Sequence, residues 1–280
     1  MTYLKNRSSS NVLTRFILLL YSVIVIYPLV WTVMTSFKTT TEFYDNPWSL
    51  PTSLKLDNYI KALETANLGG YFFNSVLITI LSLIICNSLA FATAYALARA
   101  RFPFRGLLKK MYMSALFIPA TFSIIPLFML LNKMNLLDSM AGLSLAYAAS
   151  AIPFTVYLLI GFLVTISKEY EEAAAIDGCG NLGTMIRVIL PMSKPGLITI
   201  TIFNFMAFWN EYVMALSFIS SESKRTLTLG LAYLMEIQRF STDWGALFAG
   251  LVMVMIPTMV LYALLQRKIT SGLNMGGIKG

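Results

Sequence analysis

The sequence predicts an all-α integral membrane protein of six transmembrane helices, on three observations. Of its 280 residues 57% are hydrophobic and only 12% charged, with a mean hydropathy of +0.71, whereas a soluble domain carries about a quarter of its residues as charges. The charges are spaced so that long uncharged windows lie between them. Those windows hold unbroken apolar runs such as Ile78-Thr79-Ile80-Leu81-Ser82-Leu83-Ile84-Ile85, not the roughly ten-residue alternation of a membrane-barrel strand. Soluble enzymes, disordered regulators and disulfide-stapled secreted domains are excluded.

Because a charge in hydrocarbon is costly, the gaps between charges locate the spans. Arg15 to Lys38 encloses 22 residues, Glu64 to Arg99 34, Lys110 to Lys133 22, Asp138 to Lys168 29 and Asp243 to Arg267 23; each meets the roughly 20 needed to cross. Lys194 to Glu222 is also long enough, interrupted by Glu211. The expected spans are 14–37, 71–98, 108–131, 140–166, 195–219 and 244–266, with a tail over 1–13, loose at least through residue 11, a polar loop over 167–194 and a second tail over 267–280. The first apolar stretch is longer than a signal-peptide core and lacks a small-residue cleavage site, so it is a retained helix. Pro119 and Pro126 predict a bent third span. Ala90, Ala94 and Ala98 give the second helix a small face for close packing.

Lysine and arginine set the orientation. Fourteen of the 21 fall in the N-terminal segment, the second and fourth loops and the C-terminal tail, against seven in the other loops. Both termini are therefore expected to be cytoplasmic in a multi-pass cell-membrane protein. The net charge of +8 then reflects topology and anionic lipid rather than nucleic acid. With no histidine, the commonest base and metal ligand is missing, so no catalytic residue and no metal site is expected. Cys86 and Cys179 show no disulfide or metal spacing and read as free thiols.

Within the spans, Glu211 lies 16 residues beyond Pro195, about 24 Å along a helix. Two readings of it stand: a polar lining or interhelix bond, and an interfacial residue beside the anchor Trp209. Asn204, Phe205, Trp209 and Asn210 could stack on and hydrogen-bond to a solute, or could pack and anchor. The first outer loop holds Asn46-Pro47-Trp48-Ser49-Leu50-Pro51 and a short amphipathic helix near residues 56–63, and the fifth is read as a mixed-charge loop over 220–243.

The fourth loop is too polar to span and too patterned to be a random connector. Ser167 to Gly178 reads as a helix with acids in its first turn, good helix formers in its body and a glycine stop; Asn181 would cap a second helix ending at Leu190, before Pro191. Such a pair forms a rigid handle.

Glu172-Ala173-Ala174, Gly178, Ile189-Leu190-Pro191 and Pro195 resemble the signature loop of binding-protein-dependent ABC transporter permeases. Ala94-Tyr95-Ala96-Leu97-Ala98-Arg99, Phe102-Pro103, Trp209-Asn210-Glu211, Gln266-Arg267, Gly272-Leu273 and Gly276-Gly277-Ile278-Lys279-Gly280 extend the similarity over nearly the whole chain, toward carbohydrate-uptake permeases that resemble the shorter permease of maltose-type transporters. Cys179 departs from the family's usual alanine, small for small. The resemblance implies an ABC type I importer permease fold. In it the coupling helix, with Glu171, Glu172, Ala173, Ala174, Asp177 and Gly178, seats on a cytoplasmic ATPase. It implies a second permease subunit as heterodimer partner, two cytoplasmic ATPase subunits that bind ATP and Mg, and an extracellular solute-binding protein. This chain has no Gly-x-x-x-x-Gly-Lys-Ser/Thr loop of its own and is expected to bind no cofactor. A secondary transporter remains open on composition; against it stand the lack of a mid-span ionisable group and of a visible inverted repeat. A non-transporting scaffold and a permease for a non-sugar solute such as a glycerophosphodiester also remain.

Overall fold

A computed structural model describes residues 2–64, 67–237 and 243–276, with side chains over 12–64, 67–236 and 243–264. Among the described residues, secondary structure is helical throughout. The helices are α1 (Thr2–Thr35), α2 (Thr40–Asp45), α3 (Asp57–Glu64), α4 (Leu68–Arg99), α5 (Arg105–Ala115), α6 (Ile124–Lys133), α7 (Met140–Thr165), α8 (Glu169–Ile176), α9 (Asn181–Thr184), α10 (Leu190–Met192), α11 (Lys194–Trp209), α12 (Val213–Phe218), α13 (Leu227–Ile237) and α14 (Trp244–Gly276). Four helices contain stretches long and apolar enough to cross a membrane: Val12–Thr35, Leu68–Arg99, Met140–Thr165 and Trp244–Leu264. Two bent pairs, α5 with Ala120–Lys133 and Asn181–Met192 with α11, raise the number among the described residues to six if each is one span, although the second pair takes in the return arm of the polar loop rather than only the expected 195–219.

Several boundaries differ from the sequence reading. α1 starts at Thr2 and α14 runs to Gly276, so much of both expected tails is helix; neither 2–11 nor 267–271 contains a proline or glycine to stop one. Residues 277–280 lie outside the described residues. The third span is a corner of 105°, sharper than a proline kink. Pro119 is extended at φ −58°, ψ 133°, and a proline disfavours helix in the residue before it. Pro126 sits in the first turn of α6, where its missing N–H costs nothing. The fifth loop, read as mixed charge, contains the apolar α13; residues 238–242 lie outside the described residues.

The chain divides into two compact units, Met1–Gly69 with Leu231–Met255 and Gly70–Gly230 with Ile256–Gly280. In the first, Lys38 is buried and its ammonium donates to the carbonyls of Asn46 and Pro47 at 3.1 and 3.0 Å and to Ser49 Oγ at 3.3 Å. Burial pushes its pKa down, opposed by nearby Glu42. Trp31 Nε1 donates to the same Pro47 carbonyl, and the Trp31, Phe43, Trp244 and Phe248 rings pack together. Glu42 closes a capping box with Thr39 at the start of α2 and accepts from Thr52, which holds its carboxyl at about 2. From Val12 to Val30, α1 exposes large apolar side chains on all sides.

In the second unit, α4, α7 and α11 form the core. Ala90, Ala94, Leu97, Val156, Leu159, Leu163 and Ile200 are buried in one cluster, as the small face of α4 requires. Cys86 and Cys179 are both free, Cys86 buried. Gly196 is needed for this packing: a Cβ there would lie 2.6 Å from the Phe162 ring. Buried Asn204 Nδ2 donates to Thr155 Oγ1 at 3.0 Å and Asn87 Oδ1 at 3.2 Å, and Asn87 Nδ2 donates to Thr201 Oγ1 at 2.9 Å. These amides join three helices in hydrocarbon, where such bonds act as interhelical glue.

The fifth span is broken. α11 has 16 residues, a rise of about 24 Å against about 30 Å of hydrocarbon. After a break at Asn210–Tyr212, α12 restarts. Glu211 serves the restart: its carboxylate accepts from the amides of Met214 at 2.8 Å and Ala215 at 3.1 Å. At the N-terminal end of α7, Asp138 accepts from the Ser220 and Ser221 amides, the Ser221 hydroxyl and Lys224 Nζ, the last at 3.0 Å. The Ser221 bonds, hydroxyl first, hold its carboxyl well below the ordinary carboxylate range, with Lys224 adding to the effect.

Two predictions follow from these contacts. Glu211→Ala removes both acceptors from the first turn of α12 and is expected to cost about 1 kcal/mol; thermal unfolding in detergent should show a lower midpoint for Ala than for Gln, which keeps one acceptor oxygen. The depressed folded-state pKa of Asp138 gives stability that is present above the ordinary value of about 3.9 and lost as pH falls toward the folded value. Asp138→Asn should therefore be less stable than the parent at pH 7, and the gap in unfolding midpoint should narrow progressively as pH falls below about 4.

Candidate functional site

α7 ends where Ile166 turns extended (φ −79°, ψ 127°), and α8 begins three residues later. Glu169, Glu171 and Glu172 lie in the first turn of α8, beside the free amides and the positive end of the helix dipole. The far end closes as a Schellman motif: Gly178, at φ +80°, donates to the Ala175 carbonyl at 3.1 Å, and Cys179 donates to Ala174 at 2.9 Å. The left-handed φ is why a glycine is required there.

The return arm differs from the sequence reading. Gly180, not Asn181, holds the cap position of α9, and Asn181 is its first helical residue. Nor does the arm end at Leu190: it continues through a π-helical turn, Met185–Ile189, into α10. Leu190 N–H reaches the Met185 carbonyl five residues back. The widened turn admits the Pro191 ring, which in a regular α-helix strikes the carbonyl four back. Ile189 is fully buried in the α4–α7 cluster, so the arm is welded to the core.

The expected coupling residues fall into two groups. Glu172, Ala173, Asp177 and Gly178 are exposed, whereas Ala174 is buried and half-buried Glu171 faces inward to an ion pair with Arg99 at 3.0 Å. Beside the exposed group, Ile176 is 87% and Leu182 66% exposed. On a polar loop, bare apolar side chains such as Ile176 and Leu182 mark a contact surface. The sequence reading missed both and also missed Arg99; the signal for Arg99 was a single cation at the very end of a 34-residue uncharged window.

The expected pathway residues do not share one surface. Asn204 and Trp209 are buried, Asn204 in the amide network and Trp209 against Phe72 at 5.6 Å. Phe205 is half-buried and stacks on Trp209 with ring centroids 5.7 Å apart. Asn210 is exposed, its amide returning to the Met206 carbonyl at 2.8 Å, and Glu211 caps α12. Phe205 and Asn210 are thus the two whose side chains remain open to contact, with Asn87 and Thr201 half-exposed on neighbouring turns.

A family model described as binding-protein-dependent transport system inner membrane component matches residues 88–273, which contain both arms of the handle. The chain is 38% identical over 93% of its length to the diacetylchitobiose uptake system permease protein NgcG of Streptomyces coelicolor, covering 86% of that protein. It is 31% identical over 99% of its length to the multiple sugar-binding transport system permease protein MsmG of Streptococcus mutans, covering all of it. A crystal structure of a bacterial ABC transporter that imports the acidic polysaccharide alginate contains a chain that superposes at a TM-score of 0.81, with 22% identity, over 92% of this chain and 95% of that one, which establishes a shared fold. The handle, the apolar spans and these matches agree: the chain belongs to the family of binding-protein-dependent transport system inner membrane components, the permease subunits of ABC importers.

Proposed function

We propose that this chain is the permease subunit of an ATP-driven importer that moves a sugar or oligosaccharide delivered by an extracellular solute-binding protein. The single observation that carries the coupling part is the handle: a Schellman-closed helix, fixed at its base, with Glu172, Ile176 and Leu182 turned outward. That combination of an acid and two apolar side chains suits a cleft of opposite charge on a cytoplasmic ATPase. ATP and Mg belong to two such partner subunits. A second permease subunit completes the pathway, and the bare apolar surface of α1 is available to it and to membrane lipid. Both termini lie in the cytoplasm, on the side richer in lysine and arginine. The substrate class rests on the named relatives, which belong to a diacetylchitobiose uptake system and a multiple sugar-binding transport system; a third, 33% identical over 91% of this chain, belongs to a sulfoquinovosyl glycerol transport system of Agrobacterium fabrum. Phe205 and Asn210 are the side chains proposed to meet the solute, by stacking and by hydrogen bonding. Family membership displaces the ion-gradient alternative.

The test is ATP hydrolysis by the complete transporter in liposomes, with a panel of sugars on the binding protein. A cognate sugar should stimulate hydrolysis, and Glu172→Lys should return it to the basal level while the complex still inserts. Full stimulation in that variant refutes the coupling role; absence of any associated ATPase refutes the importer reading.

A further inference from the structure

Arg99 is the last residue of α4, and its guanidinium meets the ends of two other helices at once. Nη2 donates to the carbonyls of Leu163 and Ile166 at 2.8 and 2.6 Å, at the C-terminal end of α7, and Nε lies 3.0 Å from Oε1 of Glu171 in the first turn of α8. The side chains are only 7% and 19% exposed. A planar guanidinium can serve a carboxylate and two carbonyls simultaneously, which a lysine ammonium on a flexible stem does less well. The cation also sits at the negative end of the α7 dipole and the acid at the positive end of α8. Arg105 of α5 repeats the device one helix earlier, donating to the Leu97 and Ala98 carbonyls of α4 at 2.8 and 3.0 Å.

The covalent link between α7 and α8 is three residues, 166–168. By itself it would transmit displacement only along α7 and let α8 swivel. The Arg99–Glu171 pair adds a second tether, from a different helix, at the base of the handle. The exposed Ile176 tip lies five residues beyond Glu171, about 8 Å along the helix.

We propose that Arg99 and Glu171 are positioning residues for energy coupling: they lock the handle to the ends of α4 and α7 so that its displacement moves both helices together. This rests on the proposed role of the handle in docking the ATPase. Glu172, one residue on, faces outward and does not take part.

The experiment uses Arg99→Gln, Glu171→Gln and the double variant, with Arg99→Lys as the conservative change, in the full chain with its partner permease. The first readout is the mobility of a nitroxide on native Cys179, the half-exposed thiol at the turn, before ATPases are added; Cys86 is buried and spared labelling. The second, in the complete transporter, is solute moved per ATP hydrolysed. Each Gln variant should raise nitroxide mobility and lower solute per ATP by about threefold or more, with the double variant no worse than Arg99→Gln alone, since the pair acts as a unit. Arg99→Lys should fall between. Unchanged mobility, or losses that add in the double variant, would overturn the proposal. Raised mobility in a chain that binds no ATPase would support the joint and sink the docking reading instead.

Discussion

Backbone groups in hydrocarbon have no water to turn to, and this constraint governs how the membrane-spanning helices of this protein stop and bend. The interruptions fall at functionally placed points, and at three of them a side chain makes the repair. Glu211 receives the amides of the restarted α12, Arg105 takes the last carbonyls of α4, and Arg99 takes those of α7. The charges that look costly on a hydropathy count are therefore committed to helix ends. Each is bonded to backbone groups that would otherwise be left without a partner, so one contact satisfies both the charge and the helix end.

The same economy gives the handle its stiffness. Its outgoing arm is closed by the Schellman turn, its return arm is seated by Ile189, and its base is tied by Glu171. The surface bearing Glu172, Ile176 and Leu182 is left open. A loop built of separately mobile residues could dock on a partner but would dissipate the partner's motion. One whose ends are fixed to two spans carries it into the bundle.

The spans and the handle were legible because their signals are compositional: charge-free length for the one, helix formers between an acidic start and a glycine stop for the other. The windows counted charge and were blind to backbone continuity, so the corner at Pro119 and the break after Trp209 were not visible in them. α13 escaped for a related reason, since Arg225 and Glu236 enclose only ten residues, far below the length that marks a span. Asn204 and Trp209 look like solute contacts in sequence because an amide or an indole in a span suggests recognition. Which way they face depends on the register of α11 against α4 and α7, and that register is set by Gly196 beneath the Phe162 ring.

The bond between Asp138 and Lys224 joins residues 86 positions apart. At a synthesis rate of about 5–20 residues per second, the acid waits about 4 to 17 seconds for its partner to be made. α7, the handle and α11 are all polymerised within that interval. Arg99 and Glu171 are both made before Lys224, so the tie at the other end of α7 has its two partners while Asp138 still lacks one. The Asp138 contacts can close only after the handle, α11 and α12 have been made, and the pair of Lys61 with Asp243 comes later still.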